Sequence, residues 1–143
     1  MKKLSLFLIV ILLAGYTFVS CSKGNDNTTP PPVTASQQLQ AKWALESYVY
    51  HQYGTNPVQD TTEIYSGTAN DFLDFKPTGK VNFSVASYID SFSYALVGDT
   101  SLIIEQFGSY KIQALTDHTL KLYFRADDPA ISGYFEETYN LKK

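Results

Sequence analysis

The chain has 143 residues, about one domain at the usual ~100–200 residues per domain. Fourteen acidic residues stand against eleven Lys and Arg, and two of those, Lys2 and Lys3, lie in residues 1–20, which hold no acid. The remaining surface repels phosphate backbones, which excludes the footprint of a nucleic-acid binder. Aromatics at 15% argue against disorder of the whole chain, and the single cysteine excludes an intrachain disulfide or a multi-cysteine metal site.

In chain order, Met1-Lys2-Lys3 is a basic start and Leu4 to Ala14 is apolar apart from Ser5. That stretch is short for a ~30 Å hydrocarbon core, which takes about 20 residues, so residues 1–20 read as a secretory signal. Phe18-Val19-Ser20-Cys21 resembles the lipobox of bacterial lipoproteins, with Phe18 where leucine is commonest. The resemblance implies that the Cys21 thiol is diacylglycerylated, that the chain is cut before Cys21, and that the new amine takes a fatty acyl chain such as palmitate. A membrane partner reached through Cys21 follows, since two or three chains at ~0.8 kcal/mol per buried CH₂ hold where one is marginal. The other reading of Cys21 is a free thiol at the end of an ordinary signal or membrane helix. Ser22, in place of aspartate, resembles the outer-membrane default of enterobacterial-type lipoproteins. The expected location is therefore the outer membrane of the cell envelope, facing the periplasm or the surface.

Residues 21–35 read as a disordered linker. Gly24 to Thr29 is polar, and Pro30-Pro31-Pro32 favours an extended stalk of about 3.1 Å per residue. Residues 36–143 lack long helical periodicity and show short alternating runs broken by turn residues. Eight strands are expected, marked by Trp43/Leu45/Val49/His51, Leu73/Phe75, Val81/Phe83/Val85, Tyr94/Leu96, Leu102/Ile104, Tyr110/Ile112, Leu120/Leu122/Phe124 and Phe135/Tyr139/Leu141. Pro77-Thr78-Gly79, Gly98-Asp99 (as a two-residue turn) and Thr116-Asp117 (through the aspartate) serve as hairpin turns. Eight strands left open expose two edges, so the predicted fold is all-β, an eight-stranded antiparallel up-and-down barrel. Residues 54–70 read as a long connection able to cover the barrel mouth, and 127–133 as a second loop.

Leu39-Gln40-Ala41-Lys42-Trp43-Ala44-Leu45 resembles the opening of lipocalins, a short helix leading to a tryptophan at the barrel floor, with Ala41 in place of the usual glycine. Phe72 to Val81 resembles the hairpin of bacterial lipocalin-like lipoproteins of the Bacteroidota type. Tyr110-Lys111-Ile112, Leu115-Thr116, Leu120-Lys121-Leu122 and Glu137 to Lys142 are similar to their later strands. Thr116-Asp117-His118 carries histidine where the lipocalin turn has an aromatic, and the last strand has no arginine to stack on the floor tryptophan. The resemblance implies a lipocalin-like barrel over most of 39–142, without the usual lipocalin ligand chemistry.

No nucleophile elbow, phosphate loop or histidine–metal spacing occurs, so neither an enzyme nor a cofactor or metal is expected. His51 falls on the inward phase of the first strand, as a ligand contact or as a rim histidine bonded to backbone; His118 reads as a solvated turn residue. Glu137 shares a face with Phe135 and Tyr139. A carboxylate there is costly unless paired or wet, so it marks either a polar element of a lumen or a bulge that turns it outward. Asp90 is on the inward phase of Phe92 and Tyr94, and Asp127-Asp128 fall far short of a calcium cage. The expected function is a binding module for a small, mostly apolar molecule. Its candidate lumen residues are Phe83, Tyr94, Phe124, Tyr139, Glu137 and His51, beneath the 54–70 segment. The rival is a structural or interaction lipoprotein with a filled barrel, whose outer tyrosines hold an envelope protein or glycan; Tyr48, Tyr50 and Tyr53 cluster at the end of the first strand, where they suit such contacts or simply cover the barrel surface.

Overall fold

The computed structural model describes residues 32–55 and 57–143. The expected signal, Cys21 and the linker up to residue 31 lie outside the described residues. Thr34 caps a one-turn helix, α1 (Ala35–Leu39): its hydroxyl accepts the Gln37 N–H at 3.3 Å and its own N–H donates to the Gln37 side chain at 2.9 Å. This reciprocal box ties down two otherwise unpaired donors. It also delivers Leu39, fully buried, to the barrel floor.

Nine strands follow: β1 (Lys42–Thr55), β2 (Val58–Ser66), β3 (Phe72–Phe75), β4 (Lys80–Val85), β5 (Tyr88–Val97), β6 (Ser101–Ile104), β7 (Gly108–Leu115), β8 (Thr119–Asp128) and β9 (Gly133–Lys142). All pairings are antiparallel, and β9 returns to β1 along Ala44–Gly54, closing an eight-stranded up-and-down barrel. The ninth strand is β2. It pairs with β1 at Ser47–Thr55, while β3 takes the same edge of β1 at Lys42–Ala44. The two are successive stretches of one path, broken at residues 67–71. Among the described residues the other edge of β2 has no strand partner.

The expected loop at 54–70 is therefore mostly strand. Gln59 to Glu63 is polar throughout, so no apolar alternation marks it, and the β1 backbone supplies the ladder instead. The loop expected at 127–133 is shorter, because β8 continues through Asp128 opposite Gly133. Three residues, not two, join Val97 to Ser101, with Gly98 at φ 59°. At 116–119 the Thr116 hydroxyl, rather than Asp117, accepts backbone N–H groups, from Thr119 at 3.0 Å and His118 at 3.3 Å. The 76–79 hairpin forms as expected, with Gly79 at φ 76°.

The lower barrel is solid. Trp43, Phe75, Val81, Leu102, Leu120 and Leu141 are buried there, and the Trp43 indole N–H donates to the Leu39 carbonyl at 2.9 Å. Lys143 Nζ stands 4.2 Å from the centre of the Trp43 ring. A lysine just past the last strand thus covers the tryptophan face in the absence of an arginine.

Candidate functional site

One irregularity sets the site. Between Leu45 and Ser47 the β1–β9 register shifts, leaving Glu46 as an extra residue. An extra residue inverts the faces of everything beyond it. Trp43 and Leu45 point into the barrel, and past the bulge so do Tyr48, Tyr50 and Gln52. His51 is consequently outward, contrary to the inward phase read from the sequence. Its Nε2 lies 2.8 Å from Asp60 Oδ1 and its Nδ1 3.8 Å from Glu136 Oε2.

The inner face is a grid of side chains set by register. Tyr65, Tyr48, Tyr139 and Leu122 form one row across β2, β1, β9 and β8. The next row outward is Glu63, Tyr50, Glu137 and Phe124; the third is Thr61, Gln52, Phe135 and Ala126. The β8–β9 register runs unbroken through Glu137, so it faces inward and no bulge turns it out. The Tyr110 hydroxyl donates to Glu137 Oε2 at 2.9 Å.

Aromatic contacts continue down the interior. Tyr139 packs on Tyr48, Tyr110 and Phe83 with ring centroids 4.8, 5.8 and 6.1 Å away. Phe124 lies between Tyr110 and Phe135, and Phe83 stacks on Phe107 at 5.3 Å. Phe83, Phe124, Tyr139 and Glu137 therefore belong to one connected cluster. Tyr94 faces inward at the opposite end: its ring meets Phe75 edge-on and its hydroxyl donates to the Lys76 carbonyl. Asp90 shares the face of Phe83 but is exposed at the rim, bonded to Tyr88 and to the Ser91 N–H.

β1, β2, β8 and β9 extend past the short strands of the opposite wall. Tyr50, Gln52, Phe124, Phe135 and Glu137 are in consequence half-buried, whereas Phe83 and Tyr139 below them are buried. Burial, then the neighbouring Tyr139 and Glu137, pushes the Tyr110 hydroxyl well above the ordinary phenol range. Tyr139 and Tyr48 are raised by burial and then by Glu137. Each of these phenols stays protonated at neutral pH, and that of Tyr110 is engaged by Glu137. The arrangement presents ring faces for an apolar body and a carboxylate ringed by hydroxyls for a polar group.

A second feature has no counterpart in the sequence reading. Asp71, 3% exposed, takes the Thr68 N–H and hydroxyl at 2.7 Å each and the Tyr65 hydroxyl at 2.8 Å on Oδ2. Its Oδ1 takes the Ala86 N–H at 2.9 Å. The Thr68 hydroxyl, with the other donors, holds the carboxyl down at about 2 against the cost of burial. The node pins the β2–β3 break to the β4–β5 turn, where Ala86 and Ser87 both have positive φ, 51° and 71°, without a glycine. Beside it a cavity of about 540 Å³, lined by Lys42, Tyr65, Thr68, Asn70, Phe72 and Ile89 among others, opens on the barrel flank. Lys42 Nζ lies 3.8 Å over the Phe72 ring there. Another, about 430 Å³, lies against β5 and β6 at Ser93, Ala95 and Ile103.

No protein family and no curated protein matches the chain. One solved structure is similar. It is a lipocalin-like protein from Bacteroides uniformis ATCC 8492, 19% identical over 74% of this chain and 98% of that one, with a TM-score of 0.40. The architecture described above rests on the strand pairings of this chain itself.

Proposed function

We propose that the domain is a non-enzymatic binding module of the bacterial envelope, tethered through Cys21, that holds a small, mostly apolar molecule at its barrel mouth. The ligand lies against the inner face of β1, β8 and β9 rather than in a deep lumen, because the lower interior is filled by its own aromatics. The observation that carries the reading is the half-buried set Tyr50, Phe124 and Phe135 on that face, rings left without the cover that Phe83 and Tyr139 have. Rings in contact and partly open to water gain from a further apolar partner, at about 25 cal/mol per Å² removed from water.

Native mass spectrometry of the full chain extracted from its own membrane tests the reading. A bound small molecule is expected on the parent and not on Tyr50→Ala or Phe135→Ala; an apo mass for all three contradicts it. The anchor is tested separately, since Cys21→Ser removes the acyl acceptor and abolishes labelling by a fatty-acid analogue. Equal labelling of the variant contradicts the lipoprotein assignment.

The interaction reading has one observation in its favour. On the outer face, Tyr134 packs on Tyr53 at 5.5 Å and carries Arg125 3.7 Å above its ring, with His51 edge-on. Such an aromatic–arginine group suits a protein or glycan contact.

A further inference from the structure

We propose that the molecule held at the mouth is an organic cation, an amine or quaternary ammonium joined to an apolar or aromatic body. The proposal rests on the reading of the mouth as a binding face and names the ligand class.

The second inner row alternates carboxylate and ring across four strands: Glu63, Tyr50, Glu137, Phe124. Tyr50 is thus flanked directly by two carboxylates, one from each neighbouring strand. Asp128, also on the inward phase of β8, stands two rows further out, opposite Gly133. The Tyr50 hydroxyl is raised by burial first and then by the charges of Glu137, Asp128 and Glu63.

On the outer face of the same strands Glu136 is paired with Arg125, Glu46 with Lys142, and Asp60 is bonded to His51, while Asp127 has no such partner among the described residues. Among the described residues, Glu63, Asp128 and Glu137 have no cation within ion-pair distance. The lysines and arginine of these and adjoining strands do not face the mouth: Lys111, Lys121 and Arg125 are opposite Tyr123, Asn140 and Glu136 on the outer face, and Lys42 and Lys142 are at the floor end, opposite Asp74 and Thr119. The mouth therefore has a negative potential with no internal countercharge, and partial burial of Glu137 strengthens it over bulk water.

A ring between two carboxylates is the recognition chemistry of a cation. The quadrupole of Tyr50 and Phe124 attracts positive charge to the ring face, most strongly where water is partly excluded. The carboxylates add direct attraction, and the adjacent Phe135 receives the apolar body. An anionic amphiphile, such as a fatty acid, meets three like charges and is rejected. A neutral ligand gains the ring contacts alone.

The test is a ligand-observed NMR titration of the full chain in phosphatidylcholine nanodiscs, with empty discs subtracted. Three probes of similar size are compared at neutral pH: 2-phenylethylamine as the cation, 2-phenylethanol as the neutral form and 3-phenylpropanoate as the anion. The amine is expected to bind at least ~10-fold more tightly than the alcohol, the equivalent of one favourable charge contact of about 1.4 kcal/mol, and the anion more weakly than both. Glu63→Gln and Glu137→Gln each lower the amine-to-alcohol affinity ratio several-fold, whereas Glu136→Gln, on the outer face, does not change it. Thermal unfolding confirms that each variant is folded. If the alcohol or the propanoate binds as tightly as the amine, or the ratio in Glu63→Gln and Glu137→Gln equals that of Glu136→Gln, the cation proposal is overturned and the mouth remains a binding face. If none of the three probes binds, both readings fall together.

Discussion

Tyr110 on β7 and Glu137 on β9 are joined by a 2.9 Å hydrogen bond between two strands that are not neighbours, with β8 between them. The bond fastens a buried phenol beneath the mouth to a half-buried carboxylate at its edge. It also gives the inward-facing Glu137, set between Tyr50 and Phe124, a hydrogen-bond partner.

Alkaline instability follows from this cluster. The Tyr110, Tyr139 and Tyr48 hydroxyls are raised above the ordinary phenol value near 10 in the folded protein. The folded state therefore keeps protons that the unfolded chain releases. Stability is fully present below about pH 10, where unfolded tyrosines titrate, and declines above it. Urea unfolding at a series of alkaline pH values is expected to show this loss, with a shallower slope for Tyr110→Phe. Removing that hydroxyl costs about 1–2 kcal/mol at neutral pH, the worth of a bond to a partly solvated charged acceptor.

The acid limb has a different origin. The Asp71 carboxyl is lowered to about 2 in the folded state from its ordinary 3.8, so it binds fewer protons there than when unfolded. Its contribution, about 2 kcal/mol, is present above roughly pH 4 and is lost as pH falls towards 2. Asp71→Asn is expected to flatten the stability profile over that window and to lower stability at neutral pH. The variant also loosens the β4–β5 turn, since the Ala86 N–H loses its charged acceptor at a place where two residues without glycine's freedom sit at positive φ. An unchanged acid profile argues against the node.

Trp43 tests the floor. It is fully buried, donates to Leu39 and is covered by Lys143. Trp43→Ala is expected to cost about 3–5 kcal/mol, the range for a large core aromatic. Lys143→Ala costs less, about 0.5–1 kcal/mol, the worth of an exposed cation–π contact. As the single tryptophan, Trp43 gives a direct signal; strong quenching by iodide in the parent contradicts a buried indole.

The strands with one apolar face were legible in the sequence. Leu120, Leu122 and Phe124 alternate with Lys121, Tyr123 and Arg125, and both the barrel closure and the Trp43 floor follow from such runs. β2 was not legible, because Gln59, Asp60, Thr61, Thr62 and Glu63 give neither face an apolar signal; its pairing comes from the β1 edge. The bulge at Glu46 was also hidden. A single extra residue leaves the composition of β1 unchanged yet exchanges its faces, placing Tyr50 inside and His51 outside. For Glu137, intra-strand phase left two orientations open, and the unbroken β8 register decides between them. Asp71 carried a local signal in Thr68 three residues before it, but its partner Ala86 is fixed only by tertiary structure. Lys143 lies past the last strand, beyond any strand pattern.

The central claim, that the uncovered inner face is where a ligand sits, is tested most directly by amide shift mapping. The segment 32–143 contains the whole closed barrel, and it is titrated with N-phenyl-1-naphthylamine, a neutral apolar probe. Saturable shifts concentrated at residues 48–54, 124–128 and 133–137 are expected. Shifts concentrated at 67–72 and 84–89, around the flank cavity, or no saturable shifts at all, contradict it.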